Sequence, residues 1–432
     1  MTFDASNGLI GPQRDFWQNL RDLPGTLTLP AIIAGFLVTF VGYTGPMAIV
    51  IQAGKSGGFT PDQIAAWIWA VAVGNGIVTM FLCLRYRQPL TSPYPTAGAA
   101  LLVTGLTLYT LPEAVGAYIV CAIFVILLGI TGLFERAMRL VPRGVVPGVL
   151  AGILLPFGVG IYKAIPDSPI MIVSMVVAFY VAKRWGSRAP TPWALLAGFI
   201  AVVMTGQLHL VNFHIEVTQP MLVAPVFRFD AVINLALPLL LLSLTSQYAT
   251  GQAVQISSGY EPPMNGILTT TGIASVILAF FGGHGLTLGA LTAAIVTSPE
   301  AHPDPTKRYG AAFMSGVFYV VFGIFGATIS QVFAALPASF VTTAAGLALT
   351  GAILNGLVNA LQHPAERDSA IVAFLCTASG AVIGGIAAPF WGLLGGTLIE
   401  ALMSFGEKKK NEELAPAVVV SPPATPLVEP RS

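Results

Sequence analysis

The stretch Gln88-Pro89-Leu90-Thr91-Ser92-Pro93-Tyr94-Pro95-Thr96 carries three prolines in seven residues. Proline has no N–H and pushes the residue before it out of the helical conformation, so no helix runs through this stretch. A helix can begin only near Thr96, where Ala97-Gly98-Ala99-Ala100-Leu101-Leu102-Val103 follows. In the other half of the chain, Gly282-Gly283-His284-Gly285-Leu286-Thr287 is equally poor as helix and leads into Leu288-Gly289-Ala290-Leu291-Thr292-Ala293-Ala294. Each element reads as an extended lead-in followed by a half-helix. Their surroundings are apolar enough for lipid, where unwound backbone survives only inside protein or beside a water-filled cavity.

The composition supports lipid as the main solvent. Of 432 residues, 55% are hydrophobic and 9% are Asp, Glu, Lys or Arg, against about 25% charged in soluble domains. So few charges cannot cover a water-facing surface, which argues against a soluble enzyme or binding module. A formal net charge of +1 argues against a nucleic-acid partner. Cys83, Cys121 and Cys376 stand singly in apolar stretches, with no disulfide, metal or cofactor framework. The N-terminal residues are polar with no apolar run, so no cleaved signal peptide is expected, and residues 13–20 suit a short interfacial helix resting Phe16, Trp17 and Leu20 on the bilayer. The end of the chain, with Lys408-Lys409-Lys410 and many prolines, reads as a disordered tail.

Apolar runs able to cross about 30 Å of hydrocarbon lie near 29–53, 62–83, 114–134, 143–163, 168–183 and 191–209, then near 231–256, 264–281, 309–334, 337–360, 369–387 and 389–404. With the two broken segments, about 89–110 and 282–298, they make fourteen crossings, seven in each half. Taking both termini as cytoplasmic puts all of the 20 Lys and Arg residues except Lys55, Lys163 and Arg228 on the inner side. The positive-inside rule therefore agrees with that map. Because seven is odd, the second half enters from the opposite side: an inverted repeat. Gly58-Phe59-Thr60-Pro61 and Gly259-Tyr260-Glu261-Pro262 follow the first and eighth spans, and Thr44-Gly45 and Thr250-Gly251 sit upstream of them. The expected fold is an all-α polytopic membrane protein.

Paired broken segments in two inverted halves are the best sequence pointer to a transporter's binding site. Each half-helix begins with free N–H groups and the positive end of its dipole, a combination suited to a small anion. Pro95, Thr96, Ala97 and Gly98 form one such start, and Gly285, Thr287 and Gly289 precede the other. No Asp or Glu is placed clearly at mid-span, which tilts the substrate toward anionic or neutral. His284 is the histidine placed inside the membrane; it suits substrate binding or the coupled proton, and equally a neutral group satisfying nearby backbone. Gln247, with Ser246 and Thr250, gives the eighth span a polar patch that suits either a ligand or an adjoining helix, and Gly251 follows it as a further candidate. Tyr43 and Thr44 mirror them in the first span. Asn355 and Asn359, one turn apart, read as interhelical packing, and Ala301-His302-Pro303-Asp304-Pro305 as a proline-fixed turn with no metal role.

The stretches Gln63-Ile64-Ala65-Ala66-Trp67-Ile68-Trp69-Ala70, Leu84-Arg85-Tyr86-Arg87-Gln88-Pro89, Phe281-Gly282-Gly283-His284-Gly285 and Glu300-Ala301-His302-Pro303-Asp304-Pro305 with Lys307-Arg308-Tyr309 resemble the benzoate:proton symporter (BenE) family. The resemblance covers the chain from about 25 to 404. It implies an architecture similar to the uracil and xanthine permeases, with a core of residues 29–139 and 230–335 moving against a gate of residues 140–209 and 336–404. Residues 1–28 and 405–432 would be the cytoplasmic N-terminal segment and tail. Where the related uracil permeases carry glutamates, this chain has Gln247 in the eighth span and Thr287 and Gly289 by the tenth, which suits an anion. The resemblance implies proton-coupled import of benzoate or a similar small aromatic carboxylate across a bacterial inner membrane, and a homodimer is compatible with it. Another small anion, a nucleobase-like neutral ring or a passive channel stays open; no metal cluster or catalytic constellation suggests an enzyme.

Overall fold

In the computed structural model, residues 89–95 and 283–289 run without helix and pair as antiparallel neighbours. The Thr287 N–H donates to Pro93 O at 2.9 Å and the Gly289 N–H to Thr91 O at 3.0 Å. Pro93 and Pro95 have no N–H to return, so the ladder is one-sided. Flanking helices supply what the ladder leaves unpaired. Ser92 N–H donates to Thr79 Oγ1 at 2.9 Å and Leu286 N–H to Ser275 Oγ at 2.8 Å. The carbonyls of Pro89 and Leu286 accept from Gln255 Nε2 at 2.8 Å and Tyr248 OH at 3.1 Å. Gly282 (φ +83°) and Gly285 (φ +115°) take the positive φ that turns the chain into the second lead-in.

The structure describes residues 15–44, 46–140, 143–186, 190–207, 214–383 and 386–414. Its helices are α1 Phe16–Asp22, α2 Leu29–Thr44, α3 Pro46–Ser56, α4 Pro61–Tyr86, α5 Thr96–Gly105, α6 Leu111–Thr131 and α7 Phe134–Leu140. After these come α8 Val145–Lys163, α9 Pro169–Arg184 and α10 Thr191–Met204. The second half holds α11 Phe229–Ile256, α12 Met264–Ala279, α13 Leu291–Val296, α14 Tyr309–Ile324, α15 Gly326–Ala335, α16 Ala338–Leu361, α17 Arg367–Ala378 and α18 Ala388–Leu414. Among the described residues, six helices are long and apolar enough to cross a membrane, or seven if the pair meeting at a 69° bend near Phe325 is one span. Capping boxes start two of these helices: Thr60 with Gln63 at α4 and Thr110 with Glu113 at α6.

Two packing groups result. In one, α14 lies against α2 and α4, and α6 against α12; in the other, α8 lies against α16 and α17, and α17 against α18. Small residues let the backbones approach: a Cβ on Gly316 would lie 2.7 Å from the Gly76 carbonyl oxygen and 2.6 Å from Met80 Cγ. The short helix α1 docks on α4 through Arg87, which pairs with Asp22 at 3.0 Å and lies 5.6 Å over the Tyr309 ring. Trp17 and Leu20 stay exposed as expected of an interfacial helix, whereas Phe16, expected beside them, packs against Phe81 with ring centroids 6.1 Å apart.

Several boundaries differ from the sequence reading. The run expected over 369–387 is helical only to Ala378, where Gly380 (φ +65°) ends it. Residues Val382–Ile383 (β1) and Ile386–Ala387 (β2) then form a small antiparallel ladder. The final helix continues to Leu414, through the first residues of the expected tail, because Glu, Lys and Leu there are good helix formers. Residues 415–432 lie outside the described residues. The eighth run contains two π-turns, Val232–Ala236 and Leu244–Ala249.

Gly316→Leu should overpack the α4–α14 contact by about 1–3 kcal/mol, seen as a lower thermal midpoint of the detergent-solubilised protein. Gly351→Ala, whose Cβ would meet nothing within 4 Å, should leave it unchanged.

Candidate substrate site

A cavity of about 490 Å³ lies between the two packing groups. On one side are Thr96 and Ala97 at the start of α5, Ala290 and Ala294 at α13, and Thr245, Ser246, Gln247 and Thr250 of α11. Opposite them, Val146, Pro147, Leu150 and Leu154 of α8 and Leu349 and Ala352 of α16 form an apolar wall, with Asn355 and Asn359 beside it. Among the described residues, no Asp, Glu, Lys, Arg or His lines it. The π-turn Leu244–Ala249 places three consecutive residues, Thr245 to Gln247, on the cavity; such turns often mark functional sites. The hydroxyls of Thr245, Ser246 and Thr250 donate to carbonyls four residues back. The Gln247 amide is therefore the polar side chain of this helix left to meet a ligand. At α5, Pro95 is the N-cap and provides no side-chain cap, so the first-turn N–H groups are open to an acceptor.

A vestibule of about 290 Å³ shares Val146, Pro147, Thr245 and Asn359 with this cavity and extends to Arg143, Gln362 and His363. Elsewhere the two packing groups are joined by the Ala387 N–H, which donates to Asn234 Oδ1 at 2.9 Å. Near Asn234, Arg228 pairs with Asp230 at 2.7 Å and Glu113 at 2.9 Å. Those carboxylates, Asp230 foremost, raise the Arg228 pKa further above its ordinary value.

His284 lies elsewhere. It is 3% exposed, with its ring 5.5 Å from Trp67, 5.8 Å from Tyr94 and 6.4 Å from Tyr118. Trp67 Nε1–H donates to its Nδ1 at 3.1 Å. Pro95, His284, Gly285 and Thr287 line a separate chamber of about 20 Å³. The candidate residues thus divide: Gln247, Thr250, Thr96 and Ala97 face the large cavity, and His284 with its neighbours faces the small one. Three candidate glycines serve close packing. A Cβ would sit 2.8 Å from Leu239 Cδ2 at Gly98, 2.8 Å from Leu288 Cγ at Gly251, and 2.9 Å from Pro93 Cδ at Gly289. Tyr43 is buried against Tyr319 and Phe322 and lines neither cavity; Thr44 ends α2, and its side chain lies outside the described residues.

Sequence reasoning missed the cavity-facing roles of Asn355 and Asn359. Their one-turn spacing shows a shared face, and only the packing of α16 shows what that face meets. The turn at 301–305 is as read: the Asp304 carboxylate accepts from the Thr306 N–H and hydroxyl. Burial opposes its charge, but those bonds and Lys307 together hold its pKa below the usual value. Among the described residues, no group of three or more His, Cys, Asp or Glu is placed to hold a metal ion.

Comparison with known proteins places these features in context. The family model described as benzoate membrane transport protein matches residues 25–402. A protein named benzoate membrane transport protein from Acinetobacter baylyi is 36% identical over 379 residues, covering 88% of this chain and 96% of that one. Inner membrane protein YdcO of Escherichia coli is 39% identical over 367 residues, covering 85% and 94%. Among solved structures, SLC26A9 aligns with a TM-score of 0.60 at 13% identity, covering 87% of this chain and 66% of that one. The transmembrane domain of the cyanobacterial bicarbonate transporter BicA aligns with a TM-score of 0.57 at 17% identity, covering 90% and 98%. At these identities the likeness is one of fold.

The division of the site has a direct test. In a background with Cys83, Cys121 and Cys376 replaced, Gln247→Cys should react with a water-soluble maleimide at least about tenfold faster than His284→Cys, because thiol reactivity requires access. Equal rates, followed by mass spectrometry, would merge the two compartments.

Proposed function

The chain belongs to the benzoate membrane transport family, and we propose that it imports benzoate or a similar small aromatic carboxylate together with a proton. One observation carries the reading: a cavity with no charged lining, open to the N–H groups at the start of α5 and the Gln247 amide, and backed by an apolar wall. A carboxylate needs donors to leave water, and an aromatic ring needs apolar surface. The relative named for benzoate transport supports this substrate class, and the relative named as an inner membrane protein supports that location.

In this reading the chain crosses the membrane fourteen times as two inverted sevens, with both termini cytoplasmic. The group holding α5, α11 and α13 is the core, and α8, α16, α17 and α18 belong to the gate. The vestibule at Arg143, Gln362 and His363 is then the cytoplasmic mouth. The Asn234–Ala387 contact marks the closed outer side, and transport follows from the core shifting against the gate. Alternating closure of this kind favours a carrier over a passive channel. His284 is the candidate for the coupled proton, since no charged side chain lines the cavity itself. The free amides of Gln247, Asn355 and Asn359 also suit a neutral nucleobase-like ring, which is the second reading.

Uptake of labelled benzoate into proteoliposomes should rise with an inward proton gradient and fall when other aromatic acids compete. A lack of benzoate uptake by folded protein, with uracil carried instead, would select the second reading. Gln247→Glu should weaken benzoate binding at least about tenfold, since two like charges about 4 Å apart repel by several kcal/mol at a partly screened site; unchanged affinity by calorimetry would remove Gln247 from contact. His284→Ala should retain benzoate exchange and lose gradient-driven accumulation, and full accumulation would remove His284 from coupling.

A further inference from the structure

The small chamber beside His284 has polar groups that the protein leaves unsatisfied. Trp67 Nε1–H is a donor only, so its 3.1 Å bond makes His284 Nδ1 the acceptor and puts the histidine hydrogen on Nε2. The Pro95 carbonyl lies close to the ring, yet Nε2 has no partner that meets hydrogen-bond geometry, although His284 is 3% exposed. The Tyr118 hydroxyl has none either, at 2% exposure. Both residues line the same chamber. Of the other hydroxyls there, Tyr248 bonds with Thr271 and Leu286, Ser275 with Thr271 and Leu286, and Thr287 with Pro93, while Ser243 also lines the chamber. Two orphaned donors around one void need an acceptor that can also donate.

The void of about 20 Å³ exceeds the roughly 10–15 Å³ that one water requires and leaves no room for an organic ligand. A bare metal cation is excluded by the chemistry, since the histidine presents N–H and not a lone pair. We propose that a single structural water occupies this chamber, accepting from His284 Nε2–H and bonded to Tyr118 OH, and that it steadies the ring when His284 carries the coupled proton. This rests on the reading of His284 as the coupling residue. The titratable groups around the histidine are Tyr94, Tyr118, Tyr248 and Cys121, from the lead-in, α6 and α11.

The proton balance follows from the tautomer. His284 holds one proton, on Nε2, and its one lone pair, on Nδ1, is occupied by the Trp67 N–H. Accepting a second proton at Nδ1, from solvent that reaches the ring, requires the Trp67 bond to break, and losing that same proton from Nδ1 restores the starting tautomer, with the water accepting from Nε2–H throughout. Trp67 is thus a positioning residue that fixes which nitrogen faces the water.

The test joins a structure and a transport assay on the full chain. A structure at a resolution that shows ordered waters should contain one water within hydrogen-bond distance of both His284 Nε2 and Tyr118 OH. An empty chamber, with waters visible elsewhere in the interior, would overturn the proposal. Tyr118→Phe keeps the ring and should cut gradient-driven benzoate accumulation at least about tenfold while benzoate–benzoate exchange, which needs no net proton movement, is retained. Unchanged accumulation would overturn the role of the water. Nitrogen NMR of the labelled histidine should show the Nε2–H tautomer in the wild type and lose that preference in Trp67→Phe; an Nδ1–H tautomer in the wild type would overturn the assignment. Failure of benzoate exchange in the wild type would instead refute the transport reading and leave the structural and NMR results to decide the water.

Discussion

The rest of the structure depends on satisfying two stretches of unwound backbone where water is scarce. An unpaired N–H or carbonyl in hydrocarbon costs several kcal/mol. Here Thr287 and Gly289 pair with Pro93 and Thr91, and the prolines remove donors that would otherwise need partners. What remains is met by side chains reaching in from helices: Thr79 from α4, Ser275 from α12, and Gln255 and Tyr248 from α11. One short ladder therefore fixes the starts of α5 and α13 relative to each other, and with them one side of the cavity. Loss of any one of these helices would strand a buried polar group, so the core packs around the ladder and not the reverse.

Much of this was legible in the sequence, for reasons that are local. Three prolines between Pro89 and Pro95 forbid helix wherever they occur, and Thr60-Pro61-Asp62-Gln63 announces a helix start without help from the fold. The pairing of the two lead-ins was not legible, because Pro93 and Thr287 are far apart in the chain and no pattern in either sets their register. The π-turn at Leu244–Ala249 was also hidden, since a one-residue widening of a helix leaves an apolar run unchanged in composition. Gln247 was found by its polarity and by its place in the resemblance; that it shares the cavity with Thr245 and Ser246 follows from the turn.

His284 shows the same limit from the other direction. Its place beside a half-helix suited a group facing the ligand or carrying the proton, and equally a neutral group satisfying nearby backbone. Trp67, from a helix more than 200 residues earlier in the chain, donates to its ring and helps to hold it in a compartment of its own. No spacing rule relates Trp67 to His284, because the contact exists only after α4 has packed.

That separation has a consequence for the proposed transport cycle. A histidine in the cavity would meet the carboxylate directly, and once charged it would hold the anion as a buried ion pair, difficult to release. With the lining neutral, the anion is held by dipoles, the α5 N–H groups and the Gln247 amide, which bind without a fixed countercharge. A proton kept in an adjacent compartment can still balance the anion at short range through a medium of low dielectric. Loaded with one anion and one proton, the moving core is neutral overall, and it is neutral again when empty. Neither crossing then carries net charge through the bilayer, where moving one would cost about 2.3 kcal/mol per 100 mV. A neutral cavity and a displaced histidine are, in this reading, two parts of a single solution to carrying a charged aromatic acid.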